Sequence, residues 1–219
     1  TVAATTNAAT SRSLNLHGQL FTAQHKGVKI FVQGRQNRTA ELRVQAWIHV
    51  LIEHPTALAE VRTIARLKRV EVLDFGILDF ASSLAGAIPF SSLSSPAQFE
   101  NPLLVRAKTE IVLAAAERGV VPAHNICTEL KDESVVRDDA RRARREFGFR
   151  RMWSIHPQQI RPIIEEMTPN RDEIESYTEI LLQAQMANWG PIRYADTLYD
   201  RASYRLLWWQ LKQAKHFGL

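Results

Sequence analysis

One cysteine, Cys127, stands among 219 residues, with only three methionines beside it. A single thiol makes no internal disulfide and no cysteine-based zinc site, which excludes a disulfide-stapled scaffold and a zinc ribbon. Long apolar runs are also missing, and none approaches the roughly 18–20 residues that span a bilayer. The opening TVAATTNAAT has no basic stretch leading into an apolar one, so it does not read as a secretory signal. These absences set the expectation of a cytoplasmic protein with no membrane partner. No GxGxxG or Walker loop occurs, and the serines at 91, 92, 94 and 95 form no GxSxG elbow. The seven histidines show no metal-ligand spacing.

What is present is ordinary for a globular chain, at 45% hydrophobic and 23% charged residues. The formal net charge is +5, a balance that favours polyanions. The densest basic stretch, 137–151, is interleaved with Asp138, Asp139 and Glu146. It reads as a solvated amphipathic helix. Without zinc-finger spacing, an aromatic RNP motif or a helix-turn-helix pattern, no nucleic-acid partner is expected.

Strand and helix signals alternate along the chain. VKIFVQ (28–33) is β-branched and aromatic, hence a strand, and residues 1–27 before it read as an unpatterned arm. LRVQAWIHVLIE (42–53) is an apolar run twice the usual strand length. Pro55 opens a helix, with Leu58, Val61, Ile64 and Leu67 at helical spacing. VEVLDF (70–75) is a strand, and the Ser- and Pro-rich 81–98 is a long loop of the kind often found at functional sites. Helices are expected over 102–118, 132–147, 157–167, 171–188 and 199–217, with strands at HNICTE (124–129) and RMWSIH (151–156). Repeated strand–helix units predict an α/β domain with parallel strands. A site would then gather at the C-terminal strand ends, as in a (β/α)-barrel, although fewer than eight strands are visible.

Three residues stand out on that rim. Glu53 closes HVLIE and Asp79 lies just past VEVLDFG, so both carboxylates would project from neighbouring strand ends. Such a pair suits Mg²⁺, which keeps several waters and takes one or two protein carboxylates; a helix cap or a solvated acid is the competing reading. Arg43 would sit beside the same rim, either clamping a carboxylate or making a surface salt bridge. His156, before Pro157, reads as a helix cap or a pocket imidazole.

The segments HVLIE, VEVLDFGILDF, LLVRAKTEIVLAAAERG, TELKDE and WSIHPQQIRPI follow one another in the order known from one family. From Ile48 onward the chain resembles the HpcH/HpaI aldolase and citrate lyase β-subunit family. The resemblance implies a (β/α)8 TIM barrel with a C-terminal helical extension, divided as 1–167 for the catalytic barrel and 168–219 for the extension or lid. It implies Mg²⁺ on Glu53 and Asp79, the latter in the glycine-x-x-acid motif. It implies Arg43 as the catalytic arginine that contacts the substrate, with Gln45 where the family commonly has Asn. Asp200, in ADTLYDRASYR, matches the acid that acyl-CoA-cleaving relatives present from a neighbouring subunit, although the usual D-x-P is D-R-A here. A homo-oligomer, a trimer or its multiple, follows by the same analogy, with Tyr204, Trp208 and Trp209 packing on a neighbour.

Two departures bear on the fold. The family's acidic strand end after its second strand is replaced by GRQNRT, and the stretch between the arginine strand and the LIE strand is missing where Trp47 abuts Ile48. The double-length run 42–53 is therefore expected to be two strands joined where barrel segments are absent from the sequence. The implied reaction is Mg²⁺-dependent carbon–carbon cleavage of a 3-hydroxyacyl-CoA of citramalyl, malyl or citryl type to acetyl-CoA and a 2-keto acid. A class II aldolase acting on a CoA-free hydroxy-keto acid and a non-catalytic subunit of the same fold are the alternatives.

Overall fold

The computed structural model describes residues 21–25, 28–35 and 45–216, with side chains described from 47 to 215. Its centre is a six-stranded sheet in the order β1 (Phe21–His25), β2 (Val28–Arg35), β3 (Gln45–Ile52), β4 (Val70–Phe75), β5 (Val121–His124) and β6 (Arg151–Met152). β3 to β6 are parallel, joined by helical crossovers, as the alternating pattern predicts. β1, β2 and β3 are instead antiparallel, which corrects the expectation of a parallel sheet throughout. The reason is chain length. Residues 36–44 between β2 and β3 are too few for a parallel return, which takes about a dozen or more. Among the described residues the sheet is open.

The long apolar run also resolves differently from its expected reading as two joined strands. Gln45–Ile52 is one strand of eight residues, paired along its whole length with β2 from Ile52 opposite Val28 to Gln45 opposite Arg35. The arm is corrected too, since residues 21–25 form β1. The HNICTE strand shifts upstream to VPAH, Val121–His124, because the side chain of Asn125 turns away to hydrogen-bond Gln98 and the carbonyl of Ile126. Of RMWSIH only Arg151–Met152 pairs.

The helices follow their sequence signals closely. The first divides into α1 (Pro55–Ala59) and α2 (Val61–Ala65), interrupted at Glu60. α3 (Ile77–Ser82) follows β4 and takes in the first two residues of the stretch 81–98 read as a loop. α4 (Pro102–Arg118) is capped by the Asn101 side chain, which accepts from Leu103 N at 3.1 Å, and it stops at Gly119 with φ of 71°. α5 (Glu133–Arg142) continues as a π-helical segment to Phe147, where Gly148 ends it. Its charged residues pair along the helix, Arg142 with Glu146 at 2.8 Å and Arg137 with Glu133 at 2.7 Å, and across to the next helix, Arg137 with Glu165 at 2.5 Å, so the basic run is an amphipathic helix as expected. α6 (Pro157–Met167), α7 (Arg171–Met186) and α8 (Arg201–His216) follow. A hairpin of β7 (Ile192–Tyr194) and β8 (Thr197–Tyr199) occupies the break after Gly190-Pro191 and has no counterpart in the sequence reading.

Two apolar clusters form among the described residues. One joins Val50, Ile52, Leu73 and Phe75 of the sheet to α4, with Leu104, Ala107 and Ile111, and to α5 and α6. The other joins Ile180, Leu181 and Ala184 of α7 to Tyr204 and Leu207 of α8. No helix among the described residues is long and apolar enough to cross a membrane.

Candidate active site

Strand parity sorts the two faces of the sheet. Val50 and Ile52 of β3 and Leu73 and Phe75 of β4 belong to the core under the helices. The alternate positions, His49, Leu51 and Glu53 together with Val72, Asp74 and Gly76, therefore share the opposite face. Ile52 and Phe75 are register partners, so Glu53 and Gly76 leave two parallel strands at the same end.

Glu53 is buried there, only 4% exposed. The chain after β4 is tied to β3 by the Gly76 N–H, which donates to Ile52 O at 2.9 Å. A methyl group at Gly76 would lie 2.8 Å from Glu53 Cβ and 3.3 Å from Glu53 Oε2. The carboxylate thus occupies the space that a side chain at 76 would fill. Asp79 follows in the first turn of α3. Two carboxylates consequently leave adjoining strand ends on one rim. Among the described residues no cluster of three or more His, Cys, Asp or Glu converges.

Arg43 lies outside the described residues. Asp200 lies apart from the rim acids in its bonding. It caps α8, accepting from Ala202 N at 2.9 Å, Ser203 N at 3.2 Å and Ser203 Oγ at 3.0 Å. Those hydrogen bonds hold its carboxyl below the usual aspartate range. His156 is a cap, its Nδ1 accepting from Gln158 N at 3.3 Å. His54, which carries the same His-Pro arrangement, caps α1 by accepting from Thr56 N at 3.2 Å.

Below the rim, on the face shared with Glu53, the structure adds residues that no motif singled out. Asp74 is 1% exposed. Its Oδ1 accepts from the indole N–H of Trp153 at 2.5 Å, and its Oδ2 faces His49 Nδ1 at 3.6 Å. His49 stands four residues before Glu53, too far along the strand to share a metal with it; the structure gives it Asp74 as its neighbour. The alternation H-x-L-x-E beside V-x-D-x-G carries this column of polar residues in the sequence.

A citrate lyase from Burkholderia xenovorans LB400 superposes on the chain with a TM-score of 0.73 and 52% identity, over 78% of this chain and 53% of that one. The chain shares the citrate lyase β-type fold. CitE from Mycobacterium tuberculosis, solved in complex with magnesium, acetoacetate and coenzyme A, has the same fold at a TM-score of 0.63 and 19% identity, over 75% of this chain and 60% of that one. The chain therefore spans about half to three fifths of the length of these citrate lyase β-type structures. That fold is a TIM barrel, and β3 to β6 with their crossovers supply its consecutive parallel strands here. No family model and no curated protein matches the chain.

Proposed function

We propose that the chain is part of a Mg²⁺-dependent carbon–carbon lyase that cleaves a 3-hydroxyacyl-CoA of citramalyl, malyl or citryl type to acetyl-CoA and a 2-keto acid. The observation that carries the reading is the seating of Glu53 against Gly76, one turn from Asp79, at the C-terminal ends of two parallel strands. A pair of hard carboxylates without sulfur or imidazole suits Mg²⁺ rather than zinc. The glycine cradle holds one of them in place. When bound, Mg²⁺ supplies Lewis-acid polarisation of the keto-acid oxygen.

The protein's own groups have separate tasks. Glu53 and Asp79 fix the position of the keto-acid half. Arg43 donates to the oxygen on which charge develops, an interaction that strengthens toward the transition state. Asp200 of a neighbouring subunit takes the proton of the β-hydroxyl. The electrons of the breaking carbon–carbon bond pass to the thioester as an enolate, which takes that proton back from Asp200 to become acetyl-CoA. The hydrogen bonds that lower the Asp200 carboxyl keep it ionised, the form a base needs, at some cost in basicity.

The division into a barrel unit (1–167) and a helical extension (168–219) is supported by the separate apolar cluster of α7 and α8. A homo-oligomer, a trimer or its multiple, is supported by the exposure of Leu206 (61%), Trp208 (54%) and Trp209 (62%) on α8. Tyr204 does not join that surface. It is buried in its own chain, donating to Gly190 O at 2.7 Å.

The test offers citramalyl-, malyl- and citryl-CoA to the protein with Mg²⁺ or with EDTA and follows acetyl-CoA release. EDTA-sensitive release from one of them supports the reading. Binding of the metal, seen as a rise in melting temperature at millimolar Mg²⁺, without release from any thioester redirects it to a CoA-free aldolase. Neither release nor metal binding overturns it in favour of a non-catalytic subunit.

A further inference from the structure

The crossover from β4 to β5 holds a long stretch with little regular structure, residues 83–101, between α3 and α4. α3 begins at the C-terminal end of β4, and α4 leads back to the start of β5. The stretch therefore lies on the rim that carries Glu53 and Asp79. Its attachment is uneven. Phe90 is 83% exposed, whereas Gln98 and Phe99 are buried.

Gln98 is held by Lys108, a fully buried lysine on α4. Lys108 Nζ donates to Gln98 O at 3.0 Å and to Gln98 Oε1 at 2.9 Å, and it lies 3.9 Å above the centre of the Phe99 ring. The Gln98 amide in turn donates to Asp139 Oδ2 at 2.9 Å. The Ser95 hydroxyl donates to Asp139 Oδ1, and Asn125 donates to Gln98 Oε1 at 3.1 Å. Three polar side chains, from the residue after β5 and from two helices, thus converge on the C-terminal end of one loop. A buried network of this kind is costly when only partly satisfied, so its members hold or release together.

We infer that Lys108 is a latch, pinning residues 83–101 over the rim through Gln98, and that its release opens this segment away from Glu53 and Asp79. The inference draws on the proposed site only for what the segment covers; the latch itself needs no catalytic activity to be tested.

Proton linkage gives the latch a signature. Burial lowers Lys108 from 10.5 to about 7, and an open segment returns it to water. Between those pH values the open form binds more protons than the closed form. Opening therefore becomes less favourable as pH rises above 7, by up to about tenfold per unit, and is insensitive to this group below 7. The groups facing Lys108 are Asp139 and Arg142 from α5, Glu146 from the π segment, His124 from β5 and the rings of Phe99 and Phe147. Burial raises Asp139 from 3.8, an effect of opposite sign. His124, pushed well below 6.5 by burial, acts only in acid. Cys127 nearby is raised from 9.0 to about 12 and acts only above 9. The share of the slope between pH 7 and 9 that belongs to Lys108 is the part that its replacement removes.

The experiment is native-state hydrogen exchange on the whole chain at pH 7, 8 and 9, corrected for intrinsic exchange. It compares wild type with Lys108→Met and Gln98→Met. The amides of Ser92, Gln98 and Phe99, which donate within the segment, are expected to gain several-fold to tenfold protection per pH unit in the wild type. That slope should vanish in Lys108→Met, and Gln98→Met should lower protection at every pH. A flat wild-type profile overturns the latch even if a variant fails to fold. So does a slope that survives Lys108→Met, or one shared equally by the amides of β3 and β4.

Discussion

Gly76 sets how closely the β4 turn and Glu53 can approach, because the carboxylate fills the space of its missing side chain. Gly76→Ala is expected to cost about 1–3 kcal/mol through overpacking and to abolish the Mg²⁺-induced rise in melting temperature, read by thermal melts with and without the ion. Cys127 makes the opposite kind of prediction. Buried at 3% exposure and with its thiol pushed up to about 12, it should resist thiol reagents at pH 8 in the folded protein and react on addition of denaturant. At this scale the acids were legible because position on a strand end is written in the pattern of apolar residues. Asp74 and Trp153 were not, since their contact joins residues 79 positions apart. His156 was open between cap and pocket until the backbone N–H of Gln158 was placed on its ring.

Among the elements, α4 was legible to the residue, because Asn101, Pro102 and Gly119 each carry a local instruction that no tertiary contact contradicts. Gly119 has φ of 71° and nothing within 4 Å of where a methyl would stand. Gly119→Ala therefore meets only backbone strain and should cost about 1–2 kcal/mol in a urea titration, while leaving the Mg²⁺ response intact. Paired with Gly76→Ala, it separates loss of stability from loss of the metal seat. The strands read less well. Their existence followed from composition, but direction depends on connection length, and the brevity of 36–44 turned β2 antiparallel to β3. The β7–β8 hairpin was hidden by the Gly-Pro break before it and by strands of three residues each, too short for a period to show.

For the molecule as a whole, acid stability is expected to hinge on His124. It is fully buried, stacked on Phe99 at 5.4 Å, and held neutral well below 6.5 by burial and by Lys108. Because its folded pKa is depressed, the unfolded chain gains a proton that the folded chain does not. Stability then falls as pH drops below 6.5, by at most about 1.4 kcal/mol per unit from this group. His124→Phe, which preserves the stack, should lessen the loss in urea midpoint between pH 7 and 5. The quaternary prediction is checked by light scattering, where a monomer at high concentration would exclude the shared role of Asp200. The separation of the two apolar clusters has an optical consequence. Trp189 meets the Tyr204 ring of the smaller cluster at 6.0 Å and Trp208 and Trp209 stand more than half exposed on α8, so three of the five indoles report on the C-terminal helices and the turn between them. Intrinsic fluorescence on heating should therefore change before far-ultraviolet circular dichroism does, and the gap between the two curves measures how far the C-terminal helices melt on their own.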